Sequence, residues 1–124
     1  MNYVGIVIIS HSEQVASGLK EIIREVITDV PVEIAGGTDD GRIGTSMDKI
    51  LRAIQRADEG SGVLLFYDLG SAKMNAELAL DMCGNEDVFL VDAPLIEGAY
   101  VAAVESSVGN DVHTVIENVK KSFK

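Results

Sequence analysis

Residues 4–19 read VGIVIISHSEQVASGL. The run from Val4 to Ile9 is apolar and rich in β-branched side chains, which implies a strand buried on both faces rather than a half-solvated one. After His11, Val15, Leu19, Ile22, Ile23 and Val26 recur at helical spacing, and Ser12 stands where a helix N-cap belongs. A buried strand feeding a helix almost directly is the first half of a βαβ unit, so the rest of the chain is read for its repetition.

The repetition is present. Pro31–Ala35 is a second short apolar run, closed by Gly36-Gly37 and followed by the polar loop TDDGRIGTS, residues 38–46. Thr45 to Asp48 reads as a capping box for a second helix over 45–58. After Gly60-Ser61-Gly62, the run VLLFYD at 63–68 predicts a third strand ending at Asp68. Met74, Leu78 and Met82 mark a third helix, DVFLVD at 87–92 a fourth strand, and the segment beyond Pro94 one or two helices. No internal repeat or linker interrupts the pattern, so residues 1–124 are expected to form one domain.

Strands alternating with helices, joined by right-handed crossovers, specify an α/β doubly wound fold with helices on both faces. For four parallel strands the compact order is 2-1-3-4. Composition agrees: of 124 residues 47% are hydrophobic but only 5% aromatic, with no Trp, so the core is built from aliphatic side chains. Ten basic against twenty acidic residues give a formal charge of −10, which opposes binding to nucleic acid or to an anionic membrane. The single cysteine, Cys83, cannot form an internal disulfide, and no metal site or cofactor motif is read. The N-terminal apolar run is too short for a signal core or a membrane span, so a cytoplasmic protein is expected.

In an open α/β sheet, ligands bind at the carboxyl edge where the winding direction reverses. With order 2-1-3-4 that point lies between strands one and three, whose ends carry His11 and Asp68. Adjacent strands lie roughly 4.8 Å apart, so the two side chains are predicted to pair. A carboxylate on one imidazole nitrogen fixes the tautomer and leaves the other nitrogen with a free lone pair, suited to a base or a nucleophile. For His11 alone the bland alternative is a loop residue; for Asp68 alone it is a helix N-cap. Ser10 and Ser12 flank His11 but no Gly-x-Ser-x-Gly elbow is present, and Ser10 is expected to point away from the site. His113, in an amphipathic C-terminal stretch, is assigned no role. The loop after strand two is neither a P-loop nor a dinucleotide fingerprint. It offers a helix start and Arg42, which suit an oxyanion or phosphoryl group, set against the alternative of an exposed turn.

The stretches VGIVIISHSEQVASGL, GGTDDGRIGTS, YDLGSAKMNAELAL and DAPLIEGAYVAA, together spanning nearly the whole chain, resemble the phosphotransferase subunits of phosphoenolpyruvate-dependent dihydroxyacetone kinases, relatives of the mannose-type enzyme IIA domains. The resemblance implies that His11 accepts a phosphoryl group from the phosphocarrier HPr on Nε2, oriented by Asp68. His11 would then pass it to ADP bound on the DhaL subunit, with DhaK served indirectly. It also implies a cytoplasmic homodimer acting in glycerol and dihydroxyacetone metabolism. Gly36, Gly37, Gly44 and Gly70 would keep the rim of the site low, and Gly37, Thr38, Arg42, Thr45, Gly70 and Ser71 would contact the phosphoryl group or partner. Some members carry phosphocarrier and enzyme I-like domains downstream; none is read here, so separate partners are expected. Nor is the fifth strand evident that mannose-type domains exchange across a dimer. Three rival readings stand beside this one. They are transfer to a sugar transporter's IIB domain, a receiver-like signalling domain phosphorylated on Asp68, and a small-molecule-binding module without chemistry. Receivers, however, need an acidic pair after strand one, where Ser10-His11 stands.

Overall fold

A computed structural model describes residues 2–123. Four strands, β1 (Gly5–Ser10), β2 (Val32–Gly36), β3 (Val63–Tyr67) and β4 (Val88–Leu90), form one parallel sheet in the order β2-β1-β3-β4. Five helices cover it: α1 (Glu13–Arg24), α2 (Met47–Ala57), α3 (Ala72–Cys83), α4 (Leu95–Ser107) and α5 (Val112–Ser122). The α/β class, the strand order and the covering of both faces are those the sequence predicts.

Strand alternation divides the interior in two. Ile6 and Ile8 of β1 and Leu64 and Phe66 of β3 pack with α1, α4 and α5. Val7, Ile9, Val63 and Leu65 point the other way, against α2 and α3. Every residue of β1 is buried, including Ser10, which explains why its sequence shows no polar alternation. The buried Ser106 hydroxyl of α4 ties that helix to the sheet by donating to the Val4 carbonyl at 2.7 Å.

Three details differ from the sequence reading. The stripe Met74, Leu78, Met82 identifies α3 but not its inner face: all three are exposed, and Ala72, Ala76 and Ala79 face the core. On α1 the stripe is right in part: Leu19 and Ile23 are buried beside Ala16, whereas Val15 and Ile22, and Val26 just beyond the helix, are exposed. Periodicity locates a helix; where an alanine stripe competes with a bulky one, as on α3, close approach to the sheet selects the small residues. The second helix begins at Met47, with Ser46 rather than Thr45 as its N-cap, the Ser46 hydroxyl accepting from the Lys49 amide at 3.2 Å. Finally, β4 is only three residues long: the Val91 amide makes the last bond to β3, to the Leu65 carbonyl at 2.9 Å, and the chain then turns at Pro94 into α4.

Candidate functional site

In the β1–β3 register Ile9 stands opposite Tyr67, so Ser10 and His11 on one strand and Asp68 on the other leave the sheet together. His11 Nδ1 lies 2.9 Å from Asp68 Oδ1. An ionised carboxylate only accepts, so Nδ1 carries the proton and, in the neutral ring, Nε2 holds the lone pair. Ser71, in the N-cap position of α3, makes no capping bond; its Oγ is 2.8 Å from His11 Nε2, and the tautomer makes that hydroxyl the donor. His11 and Asp68 keep about one fifth of their side chains exposed, 19% and 21%.

Asp68 is held on all four lone-pair positions. Oδ1 accepts from His11 Nδ1 and from the Leu69 amide (2.7 Å), and Oδ2 accepts from the Ser10 hydroxyl (2.9 Å) and the His11 amide (3.0 Å). The bland alternative for Asp68, a helix N-cap, is thereby set aside, since Ser71 occupies that position. The expectation that Ser10 points away from the site is also corrected: its side chain is fully buried and bonds Asp68. Strand alternation argues against two adjacent residues sharing a partner, but here one of them uses its backbone amide and the other its side chain.

Burial opposes ionisation of Asp68, yet the bonds from the His11 amide and ring, the Ser10 hydroxyl and the Leu69 amide outweigh it and hold the carboxyl below the usual carboxylate range. A depressed folded-state pKa contributes stability above the unfolded-state value, lost as pH falls through the folded one. The expected result is that the wild type loses stability from about pH 4 downward. In Asp68→Asn the dependence over that window is shallower, as read by urea unfolding at a series of pH values.

The glycine-bearing loop is fastened to the same strand end through its backbone. The Gly37 amide donates to the Ser10 carbonyl (3.1 Å) and the Gly44 amide to the His11 carbonyl (2.9 Å). Gly37 has φ +73°, and a side chain on Gly44 (φ +144°) would meet the Thr38 methyl at 2.7 Å, so glycine is required at both. Of the other loop residues, Thr38 and Arg42 are turned inward on the loop. The Thr38 hydroxyl donates to Asp40, and the Arg42 guanidinium, itself exposed, pairs with Asp40 at 2.7 Å. Those two bonds, Thr38's first, hold the Asp40 carboxyl below its ordinary value. Thr45 is tied to α3, its hydroxyl accepting from Asn75 at 2.7 Å. Gly70 is exposed in the turn before Ser71, with open space where a side chain would stand. Of the residues singled out beside the His11–Asp68 pair, therefore, only Ser71 reaches the imidazole through its side chain. Gly37 acts on the adjoining backbone, while Thr38, Arg42 and Thr45 spend their side chains on Asp40 and Asn75 and Gly70 has none. His113 packs edge-on against Phe89, with ring centroids 5.5 Å apart.

Among the described residues, no group of three or more His, Cys, Asp or Glu side chains is placed to hold a metal ion, and no helix is long and apolar enough to cross a membrane.

Comparison with known proteins bears on this arrangement. Residues 5–116 match the EIIA-man family, described as PTS system fructose IIA component. The chain is 45% identical over 116 residues to PEP-dependent dihydroxyacetone kinase 1, phosphoryl donor subunit DhaM, of Listeria innocua, covering 94% of this chain and 92% of that one. It is 43% identical to the PTS-dependent dihydroxyacetone kinase, phosphotransferase subunit DhaM, of Lactococcus lactis, covering 94% of each. Among solved structures, a protein of unknown function, EF1359, superposes with a TM-score of 0.85 at 35% identity, over 97% of this chain and 95% of that one.

Proposed function

This chain belongs to the EIIA-man family of phosphotransferase-system components, in its branch of DhaM phosphoryl donor subunits, and from that membership we propose that it is a phosphohistidine carrier. It accepts a phosphoryl group from HPr on His11 Nε2 and delivers it to ADP on the DhaL subunit, so that dihydroxyacetone is phosphorylated at the expense of phosphoenolpyruvate. The observation that carries the proposal is the pairing of His11 Nδ1–H with Asp68, which leaves Nε2 as the nucleophilic nitrogen.

The chemistry follows from the geometry. The Ser71 hydroxyl releases Nε2, whose lone pair attacks the phosphorus of the incoming phosphohistidine; the Nε2–P bond forms as the donor's P–N bond breaks, and the electron pair leaves with the donor imidazole. The Nδ1 proton stays where it is, so the phosphorylated ring carries a positive charge that Asp68 faces directly. Ser71, freed from Nε2, lies within reach of a phosphoryl oxygen. Onward transfer is the same step reversed, with a terminal phosphate oxygen of ADP as nucleophile. Loose phosphoryl transfer asks for positioning and charge stabilisation more than covalent help, and a pair fixed by strand ends supplies both.

The minor contacts are assigned on the same basis. Gly37 holds the strand end, and Gly70 and Ser71 present the start of α3 to the phosphoryl group. Thr38, Arg42 and Thr45 form the rim that meets HPr or DhaL, with Arg42 exchanging Asp40 for the phosphate. Residues 1–124 act as one phosphotransfer domain, cytoplasmic and without a bound cofactor. The family's homodimer is retained, the exposed Met74, Leu78 and Met82 of α3 being apolar surface available to it. A receiver-like role is disfavoured because an aspartate whose four lone pairs are already engaged is a poor nucleophile. The test is HPr-dependent labelling from phosphoenolpyruvate followed by a chase. Discharge by DhaL with ADP supports the assignment, whereas discharge only by a transporter IIB domain would assign the chain to sugar uptake.

A further inference from the structure

We propose that Ser10 is a positioning residue for phosphoryl transfer, acting through Asp68 to set the tautomer and aim of His11; the inference rests on the phosphohistidine reading above. Three observations carry it. The Ser10 side chain is fully buried at the end of the central strand, where an apolar residue would otherwise complete the core. A buried hydroxyl costs stability unless it is bonded, so its presence asks for a reason. Its Oγ accepts from the Ser12 amide at 3.0 Å and donates to Asp68 Oδ2 at 2.9 Å. Because the Ser12 N–H occupies one side of the oxygen, the single hydroxyl hydrogen is directed at the carboxylate, and the donor direction is fixed rather than free to rotate.

The consequence reaches the reacting atom. Asp68 can rotate about its Cβ–Cγ bond; the Leu69 amide holds Oδ1 at 2.7 Å, and the bonds to Oδ2 fix the plane in which Oδ1 meets Nδ1. The anchors on Oδ2 are the Ser10 hydroxyl and the His11 amide. The ordered path is Ser12 N–H to Ser10 Oγ–H to Asp68 to His11 Nδ1–H, with the lone pair of Nε2 at its far end. Ser12 also caps α1, accepting from the Val15 amide at 3.3 Å, so the start of that helix and the aim of the imidazole share one support. Without the Ser10 hydroxyl, Asp68 keeps its charge and its two bonds from the His11 and Leu69 amides, but its plane is held less tightly and its Oδ1 is aimed less well at Nδ1. The neutral imidazole then populates the tautomer whose proton blocks Nε2.

The experiment compares wild type with Ser10→Ala, Ser10→Cys and Ser10→Thr in the full chain. Circular dichroism checks the fold, the His11 tautomer is read from imidazole 15N shifts, and the single-turnover rate of labelling is measured with phosphoenolpyruvate, enzyme I and HPr. The expected result is a roughly tenfold slower transfer in Ser10→Ala, with the Nε2–H tautomer appearing, and recovery toward wild type in Ser10→Thr, which restores the hydroxyl. Ser10→Cys, nearly equal in volume but a weak donor, falls between and decides the matter should Ser10→Ala not fold. A folded Ser10→Ala or Ser10→Cys with wild-type tautomer and rate would overturn the proposal. The tautomer is read without any partner, so the two failures separate. A wild type that takes no label while the Ser10 variants shift the tautomer refutes the carrier reading and not the positioning.

Discussion

Replacing His11 with alanine is expected to reduce labelling from phosphoenolpyruvate, enzyme I and HPr to background. Loss of a covalent nucleophile costs on the order of 10⁶-fold in rate where it has been dissected, because no neighbouring group takes over the bond-making step. Here the neighbours are poor substitutes. Asp68 is engaged on both oxygens, and Ser71 has no base once the imidazole is gone. The fold should survive, since His11 lies beyond the last residue of β1 and its backbone bonds, from its amide to Asp68 and from the Gly44 amide to its carbonyl, do not need the ring. Autoradiography of the variant beside wild type checks this, and His113, packed on Phe89 far along the chain, serves as the control: His113→Ala should label normally.

The second large effect is expected for Asp68→Asn. The amide has nearly the shape of the carboxylate but brings two N–H donors to a place where four donors already converge. If its nitrogen turns to His11, Nδ1 must accept, the proton moves to Nε2, and the nucleophilic lone pair is lost. If its oxygen turns to His11, the NH₂ group faces the Ser10 hydroxyl and the His11 amide, both donors. Either way the developing imidazolium has no anion beside it. A drop of roughly 10²–10⁴-fold in the transfer rate follows, the upper end being the cost of a wrong tautomer in a His–Asp pair of another enzyme. Unsatisfied part-buried donors add a stability loss of about 1–3 kcal/mol. Rapid-quench labelling and urea unfolding measure the two separately, and Asp68→Asn labelling at the wild-type rate would mean that the carboxylate does not set the tautomer.

Much of this was legible in the amino-acid sequence. The run before His11, the second run before Gly36-Gly37 and the run before Asp68 are bounded by turn residues, and the topology rules leave one compact order for four such strands. Once that order is adopted, His11 and Asp68 meet without any coordinate being known. What could not be read were features that depend on rotation about a helix axis or on a side chain's local choice. Met74, Leu78 and Met82 point outward because Ala72, Ala76 and Ala79 let α3 lie close to the sheet, and pattern alone ranks the larger side chains first. Thr45 and Ser46 are chemically equivalent caps one position apart; the bond from Asn75, thirty residues away, occupies the first and leaves the second to the helix. Strand alternation discounts Ser10, which adjoins His11 in the sequence. The signal that could have found it is its polarity at the end of an otherwise unbroken apolar run. Arg42, the one cation of the glycine-bearing loop, is neutralised by Asp40, a pairing that i, i+2 spacing in a glycine turn allows but does not announce.

The central claim is that Nε2 of His11 carries the phosphoryl group. It is tested most directly by phosphorylating 15N-histidine-labelled protein with phosphoenolpyruvate, enzyme I and catalytic HPr, and then recording phosphorus–nitrogen coupling and imidazole 15N shifts. The account predicts a single phosphorylated ring, His11, coupled through Nε2, with Nδ1 still protonated against Asp68. Phosphorus coupled to Nδ1, or an acyl phosphate on Asp68 with both imidazoles unmodified, would contradict it.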